Sequence, residues 1–88
     1  LPSTLAYIGN SAFSCCYDLE QINIPNSVTH IGEEAFYCCN SLKNVVLPNS
    51  VTHIGKAAFE FCRSLKSVVL PNKLKEIEEG MFKYAGLE

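Results

Sequence analysis

The sequence predicts an α/β solenoid, a coil of short units with a parallel β-sheet on one side and short helical turns opposite. Three observations carry this expectation. First, Pro2, Pro25, Pro48 and Pro71 recur every 23 residues, as do Ile8, Ile31, Ile54 and Ile77, and Phe13, Phe36, Phe59 and Phe82. Second, the string PNSVTHIG occurs at 25–32 and again at 48–55. Third, each unit mixes an alternating apolar pattern with a stretch of 3–4 spacing. A fixed period in this range marks stacked units, none of which buries its apolar face alone. The units run 2–24, 25–47 and 48–70, with a partial unit at 71–88.

Pro25–Leu47 serves as the reference unit. Pro-Asn-Ser opens it with turn chemistry. Val28 and Ile31 follow, and Gly32, like Gly55 one unit later, is expected at a tight bend where a Cβ would clash. Ala35, Phe36 and Cys39 have the spacing of one face of a short helical turn. Leu42 follows, and Val45 and Leu47 then alternate with polar or exposed residues, as a half-buried strand does. Pro48 has no N–H to donate and ends that strand. The same apolar offsets give Leu5, Ile8, Ala12, Phe13, Cys16, Leu19, Ile22 and Ile24 in the first unit. In the third they give Val51, Ile54, Ala58, Phe59, Cys62, Leu65, Val68 and Leu70. Stacked in register, these residues form one continuous core.

Two segments carry a resemblance. The motif L-x-x-I/V-x-I/L-P stands at Leu19–Pro25, Leu42–Pro48 and Leu65–Pro71, and V-x-x-I-G-x-x-A-F-x-x-C at Val28–Cys39 and Val51–Cys62. Together they resemble the BspA-like class of leucine-rich repeats over essentially the whole chain. The resemblance implies a right-handed leucine-rich-repeat coil. It also implies surface-exposed or secreted proteins of bacteria and some parasitic protists, with non-catalytic repeats that serve adhesion and bind host or matrix proteins. The fourth unit departs from the motif, with Glu78 for the glycine, Met81 for the alanine and Ala85 for the cysteine, and it is one residue short before Leu87.

Composition narrows the function classes. Over 88 residues the net charge is -2, with both signs interspersed, so no basic stripe points to nucleic acid. No apolar run approaches the ~20 residues of a membrane-spanning helix. Leu1–Pro2 reads as the end of a preceding repeat, so the chain is expected to be a piece of a longer protein. Cut from its neighbours, it would expose ladder edges and is expected to self-associate end to end. The sequence holds no G-x-G-x-x-G, Walker loop, H-E-x-x-H or G-x-S-x-G motif, and no N-x-S/T sequon. No catalytic residue, cofactor or metal is expected.

Several side-chain files invite a chemical reading. Cys16, Cys39 and Cys62 share one offset and could form a disulfide or metal column, but small core residues are the better reading, since stacked parallel side chains do not converge. Cys15 and Cys38, followed by Phe61 and Tyr84 in the same file, are expected at the edge of the helical turn. A four-thiol site from Cys15, Cys16, Cys38 and Cys39 is disfavoured because adjacent side chains point apart, and a Cys15–Cys38 disulfide stays a minor alternative. His30 and His53, in file with Tyr7 and Glu76, read as a surface ladder. They lack the orienting partner and nucleophile that catalysis needs. Glu33-Glu34 and Glu76, Glu78 and Glu79 read as solvated charge.

The outward positions of the predicted strand form three files: Glu20, Lys43 and Lys66; Gln21, Asn44 and Ser67; Asn23, Val46 and Val69. Exposed valines beside lysines make a mixed apolar and cationic strip suited to a protein partner. These nine residues are the candidate partner-binding site. The reading is a non-catalytic interaction or adhesion module of a cell-surface or secreted protein, contacting a host, matrix or other surface protein. The alternative is a set of structural spacer repeats supporting a flanking domain. Units two and three match at 17 of 23 positions, which gives a periodic surface.

Overall fold

Successive units lie directly over one another. The computed structural model describes residues 3–72, 74 and 82–86. Glu76, Ile77, Glu78, Glu79, Met81 and Leu87 lie outside the described residues. Five short strands form in chain order: β1 (Tyr7–Ile8), β2 (His30–Ile31), β3 (Asn44–Val46), β4 (His53–Ile54) and β5 (Ser67–Val69). They build two separate parallel sheets, β1-β2-β4 and β3-β5. The register follows the repeat, pairing Tyr7 with His30, His30 with His53, and Val45 with Val68.

The β3-β5 sheet is the strand expected from Leu42–Leu47 and its equivalents. The β1-β2-β4 sheet was not expected; it uses the Val-Thr-His-Ile stretch read above as a lead-in to a bend. Thr29 N donates to Ala6 O at 2.8 Å, and Gly32 N to Ile8 O at 2.8 Å. The second and third units therefore each carry two strands separated by turns, and the first carries β1 alone.

The expected helical turns are absent among the described residues, and the hydrogen bonds give the reason. A helix sends each N–H back along its own chain. Here only alternate N–H groups do so: Ala35 to Gly32 O (3.4 Å), Tyr37 to Glu34 O (3.1 Å) and Cys39 to Phe36 O (3.3 Å). The residues between them donate to the next coil: Glu34 to Lys56 O (3.0 Å), Phe36 to Ala58 O (2.8 Å) and Cys38 to Glu60 O (2.9 Å). Left-handed residues make the alternation geometrically feasible, with φ 55° at Glu34 and 58° at Cys38, repeated at Ser11 and Cys15 and at Ala57 and Phe61. Left-handed backbone costs a non-glycine residue roughly 1–2 kcal/mol, so the inter-coil bonds must offset it at several positions per coil.

The core matches the apolar files. All eight reference-unit residues, Val28, Ile31, Ala35, Phe36, Cys39, Leu42, Val45 and Leu47, are buried. In the first coil Leu5, Phe13, Cys16, Leu19 and Ile22 are only half-buried and Ala12 is exposed. In the third coil Leu70 is exposed. The second coil is packed between the first and the third. Phe13, Phe36, Phe59 and Phe82 stack in one row, with ring centroids 5.3, 5.1 and 5.5 Å apart and nearly parallel planes. Such offset pairs add ~0.5–1.5 kcal/mol each beyond their burial.

Gly32 and Gly55 are required by the coil beneath, not by a local bend. Neither lies in the left-handed region, but a Cβ on Gly55 would sit 2.5 Å from Glu33 N and 2.6 Å from Gly32 C. Gly9, at the same offset in the first coil, has nothing within 4 Å of its added Cβ. Gly55→Ala is therefore expected to destabilise the chain by ~1–3 kcal/mol through overpacking against fixed backbone. Gly9→Ala should stay within about 0.5 kcal/mol. Urea unfolding of the two variants checks this; equal midpoints would show that the coils do not approach as closely as described.

Candidate functional surface

The β3-β5 sheet sets the candidate surface by simple alternation: Val45 points inward while Asn44 and Val46 point out. All nine expected residues, Glu20, Gln21, Asn23, Lys43, Asn44, Val46, Lys66, Ser67 and Val69, are exposed. Val46 and Val69 are 62% and 55% exposed, high for β-branched apolar side chains held rigidly in a strand. They are paired in register, so their methyl groups form one apolar step. Ser67 Oγ donates to Asn44 Oδ1 at 2.7 Å, which ties two outward polar groups together. Lys43 Nζ lies 3.9 Å from Glu20 Oε1; both are exposed, and such a pair contributes only about 0–1 kcal/mol. Among the described residues no carboxylate pairs with Lys66.

The first coil joins this surface less regularly. Gln21 makes an isolated bridge to Asn44 and Lys43 N donates to Glu20 O at 3.0 Å, but no strand forms there. Asn23 occupies the position held by Val46 and Val69, and asparagine is a poor strand former. The structure thus brings Val46 and Val69 together and leaves Asn23 outside the ladder. A groove of about 840 Å³ opens there, lined by Gln21, Asn23, Asn26, Asn44, Val46 and Pro48 among others.

A second outward surface was read in the sequence only as a histidine ladder. Tyr7 and His30 stack at 4.7 Å, and His30 and His53 at 4.5 Å with planes 3° apart. Thr29 Oγ1 and Thr52 Oγ1 each lie 2.8 Å from the Nδ1 of the adjacent histidine and fix the ring orientation. The His30 ring is covered on both faces, whereas Tyr7, at the end of the stack, is 64% exposed. They line a groove of about 520 Å³ with Asn10 and Glu33. The signal for this sheet was present, since Thr-His-Ile alternates in the strand manner, but two residues are too short for periodicity to separate strand from bend.

The cysteines divide by face. Cys39 and Cys62 are fully buried, and their S–H groups donate to Phe13 O at 3.1 Å and Phe36 O at 3.0 Å in the coil before. Burial pushes the Cys39 thiol up to about 11 and the Cys62 thiol up to about 12. Cys16 is half-buried at the same offset. Cys15 is exposed and Cys38 half-buried on the opposite side of the backbone. That division separates the members of a four-thiol site. Among the described residues no three or more Cys, His, Asp or Glu side chains converge on a metal position.

Parallel coils of strand and turn, with one apolar file per inward position, define a leucine-rich-repeat solenoid. The chain belongs to the BspA type of leucine-rich repeat: the family model described as "BspA type Leucine rich repeat region (6 copies)" matches residues 1–88. It is similar to a leucine-rich repeat protein from Bacteroides ovatus ATCC 8483, with 38% identity and a TM-score of 0.91 over 96% of this chain and 22% of that one. It is also similar to the T. pallidum leucine-rich repeat protein TpLRR, with 35% identity and a TM-score of 0.71 over 82% of this chain and 45% of that one. The chain therefore spans less than half the length of either protein. No curated protein matches significantly.

The raised thiols make stability depend on pH. A thiol whose folded pKa lies above its unfolded value of 9.0 keeps its proton longer in the folded state, so it favours folding less as pH rises. The contribution of these two thiols should be flat below pH 9 and fall between pH 9 and the values of about 11 and 12 at Cys39 and Cys62. Chemical denaturation across that range checks this, and a Cys39→Ala/Cys62→Ala variant should flatten the decline. An unchanged alkaline slope in the variant would assign the decline to other groups.

Proposed function

We propose that this segment is a non-catalytic protein-interaction module whose binding strip is the outward face of the β3-β5 sheet and the adjoining first coil. One observation supports it above the others: Val46 and Val69 stand exposed and in register, with Asn44 and Ser67 next on the outward face and Lys43 and Lys66 beyond them. A rigid apolar step bordered by cations can be desolvated at little entropic cost, which favours a partner with apolar and acidic side chains. The groove beside Asn23 widens the strip toward the first coil. The family resemblance favours a cell-surface or secreted parent protein and an adhesive role toward a host, matrix or other surface protein.

The spacer reading rests on the continuous inter-coil ladder, which would hold a flanking domain at a fixed distance. Deleting one 23-residue unit distinguishes the two, since a spacer keeps its function when shortened and a strip loses contacts. The Lys43→Ala/Val46→Ala/Lys66→Ala/Val69→Ala variant is expected to lose binding to a partner captured by the parent protein. Its circular dichroism should not change, because each side chain faces solvent. Retained affinity in that variant removes this face as the binding strip. The isolated 88-residue chain is also expected to associate in a concentration-dependent manner through unpaired ladder groups of its first coil. Light scattering reads this directly, and a strict monomer at high concentration ends it.

A further inference from the structure

The file of Cys15, Cys38, Phe61 and Tyr84 runs along the turn side. Its members share one backbone conformation, with φ 61°, 58°, 63° and 58°. Cys15 N donates to Tyr37 O at 2.7 Å, Cys38 N to Glu60 O at 2.9 Å and Phe61 N to Lys83 O at 2.8 Å. Equal backbone geometry repeated by translation makes the Cβ vectors parallel. The spacing can be read from the next two places in the file, where the rings of Phe61 and Tyr84 stack 4.9 Å apart. Parallel thiols at ladder spacing are badly placed for a disulfide, which needs Cβ atoms converging to about 3.5–4.5 Å. They are well placed for an ion between them. A linear S–M–S unit spans twice the ~2.3 Å metal–thiolate bond of a d10 ion, or about 4.6 Å.

We propose that Cys15 and Cys38 together bind one soft monovalent d10 cation, copper(I), as a linear dithiolate bridge between the first two coils. Binding releases both thiol protons and leaves a singly negative S–Cu–S unit. Thiolate ligands select copper(I) over hard cations, and zinc favours four ligands where this pair offers two. The neighbouring Cys16 and Cys39 cannot complete a larger site, since Cys39 is buried and its S–H is bonded to Phe13 O.

The surroundings suit an anionic sulfur at this place. The polar side chains of Tyr17 and Ser14 hold the Cys15 thiol below its ordinary pKa, Tyr17 most; Ser14 Oγ lies 3.8 Å from Sγ. The Cys38 thiol is raised by burial and then by the charge of Cys15. A cation between the two sulfurs reverses that second effect. Arg63, held over the Phe61 ring at 5.1 Å, also favours the Cys38 thiolate.

The test is anaerobic titration of the reduced chain with copper(I) against a chromogenic copper(I) chelator. One ion per chain is expected, with X-ray absorption showing two sulfur neighbours at a single distance. Silver(I) should displace it and zinc should not. Cys15→Ser and Cys38→Ser should each lower affinity by roughly 10²–10⁴-fold, the effect of losing an intramolecular second ligand. Full affinity in either single variant would mean independent surface thiols and would overturn the proposal. So would unchanged stoichiometry in the Cys15→Ser/Cys38→Ser variant, or a loaded species that light scattering shows to be a dimer bridged between chains.

Discussion

Coil-to-coil hydrogen bonding is the constraint on which the rest of the structure depends. On the turn side, alternate N–H groups close local turns and the groups between them reach the next coil. That division fixes the vertical spacing, forces left-handed backbone at two positions per coil, and keeps each residue directly over its equivalent. A repeat one residue longer or shorter would shift every donor to the wrong face, so the strict period of the sequence follows from the ladder. The two sheets sustain the same spacing elsewhere in the coil, with the donor direction reversed at β2, where Thr29 N reaches back to Ala6 O.

Close stacking then decides which residues each offset accepts. At the Gly32 and Gly55 offset the coil beneath leaves no room for a Cβ, while Asn10 Oδ1 accepts from Glu33 N at 2.9 Å across the same junction. At the cysteine offset a small side chain must fill the core and satisfy a carbonyl of the previous coil, and a thiol does both. At the Phe36 offset the ring of one coil forms the wall for the next. Free cysteine and stacked phenylalanine are therefore packing solutions imposed by the 23-residue period, and neither file offers chemistry to a ligand.

Much of this was legible in the sequence because identical offsets report burial directly. The eight reference positions were assigned to the core from pattern alone, and the structure buries each of them. The outward files at Asn44 and Val46 followed from period-two alternation about Val45. The turn side was misread because Ala35, Phe36 and Cys39 have helical spacing, yet that spacing also arises when alternate residues of a turn series point inward. Side-chain periodicity does not encode whether an N–H bonds within its coil or to the next. The β1-β2-β4 sheet was missed because each of its strands has two residues, below the length at which alternation is informative. Asn23 belonged to its file by number but not by pairing, since the poorer strand former lets the first coil leave the ladder.

A solenoid of this kind separates structure from recognition by offset. Inward files are nearly fixed, whereas an outward file can change composition from coil to coil at little cost. The file of Cys15, Cys38, Phe61 and Tyr84 shows the latitude: two thiols and two aromatic rings occupy one left-handed backbone position. The file of Tyr7, His30 and His53 shows another, with rings stacked on one another and Tyr7 exposed at its end. The Val46 and Val69 step exposes apolar surface in two successive coils, as Tyr7 and Tyr17 do singly in the first. Threonine would keep the same strand geometry at these exposed positions. On the interaction reading proposed above, a partner would meet that step, and the ladder would hold it at a fixed place.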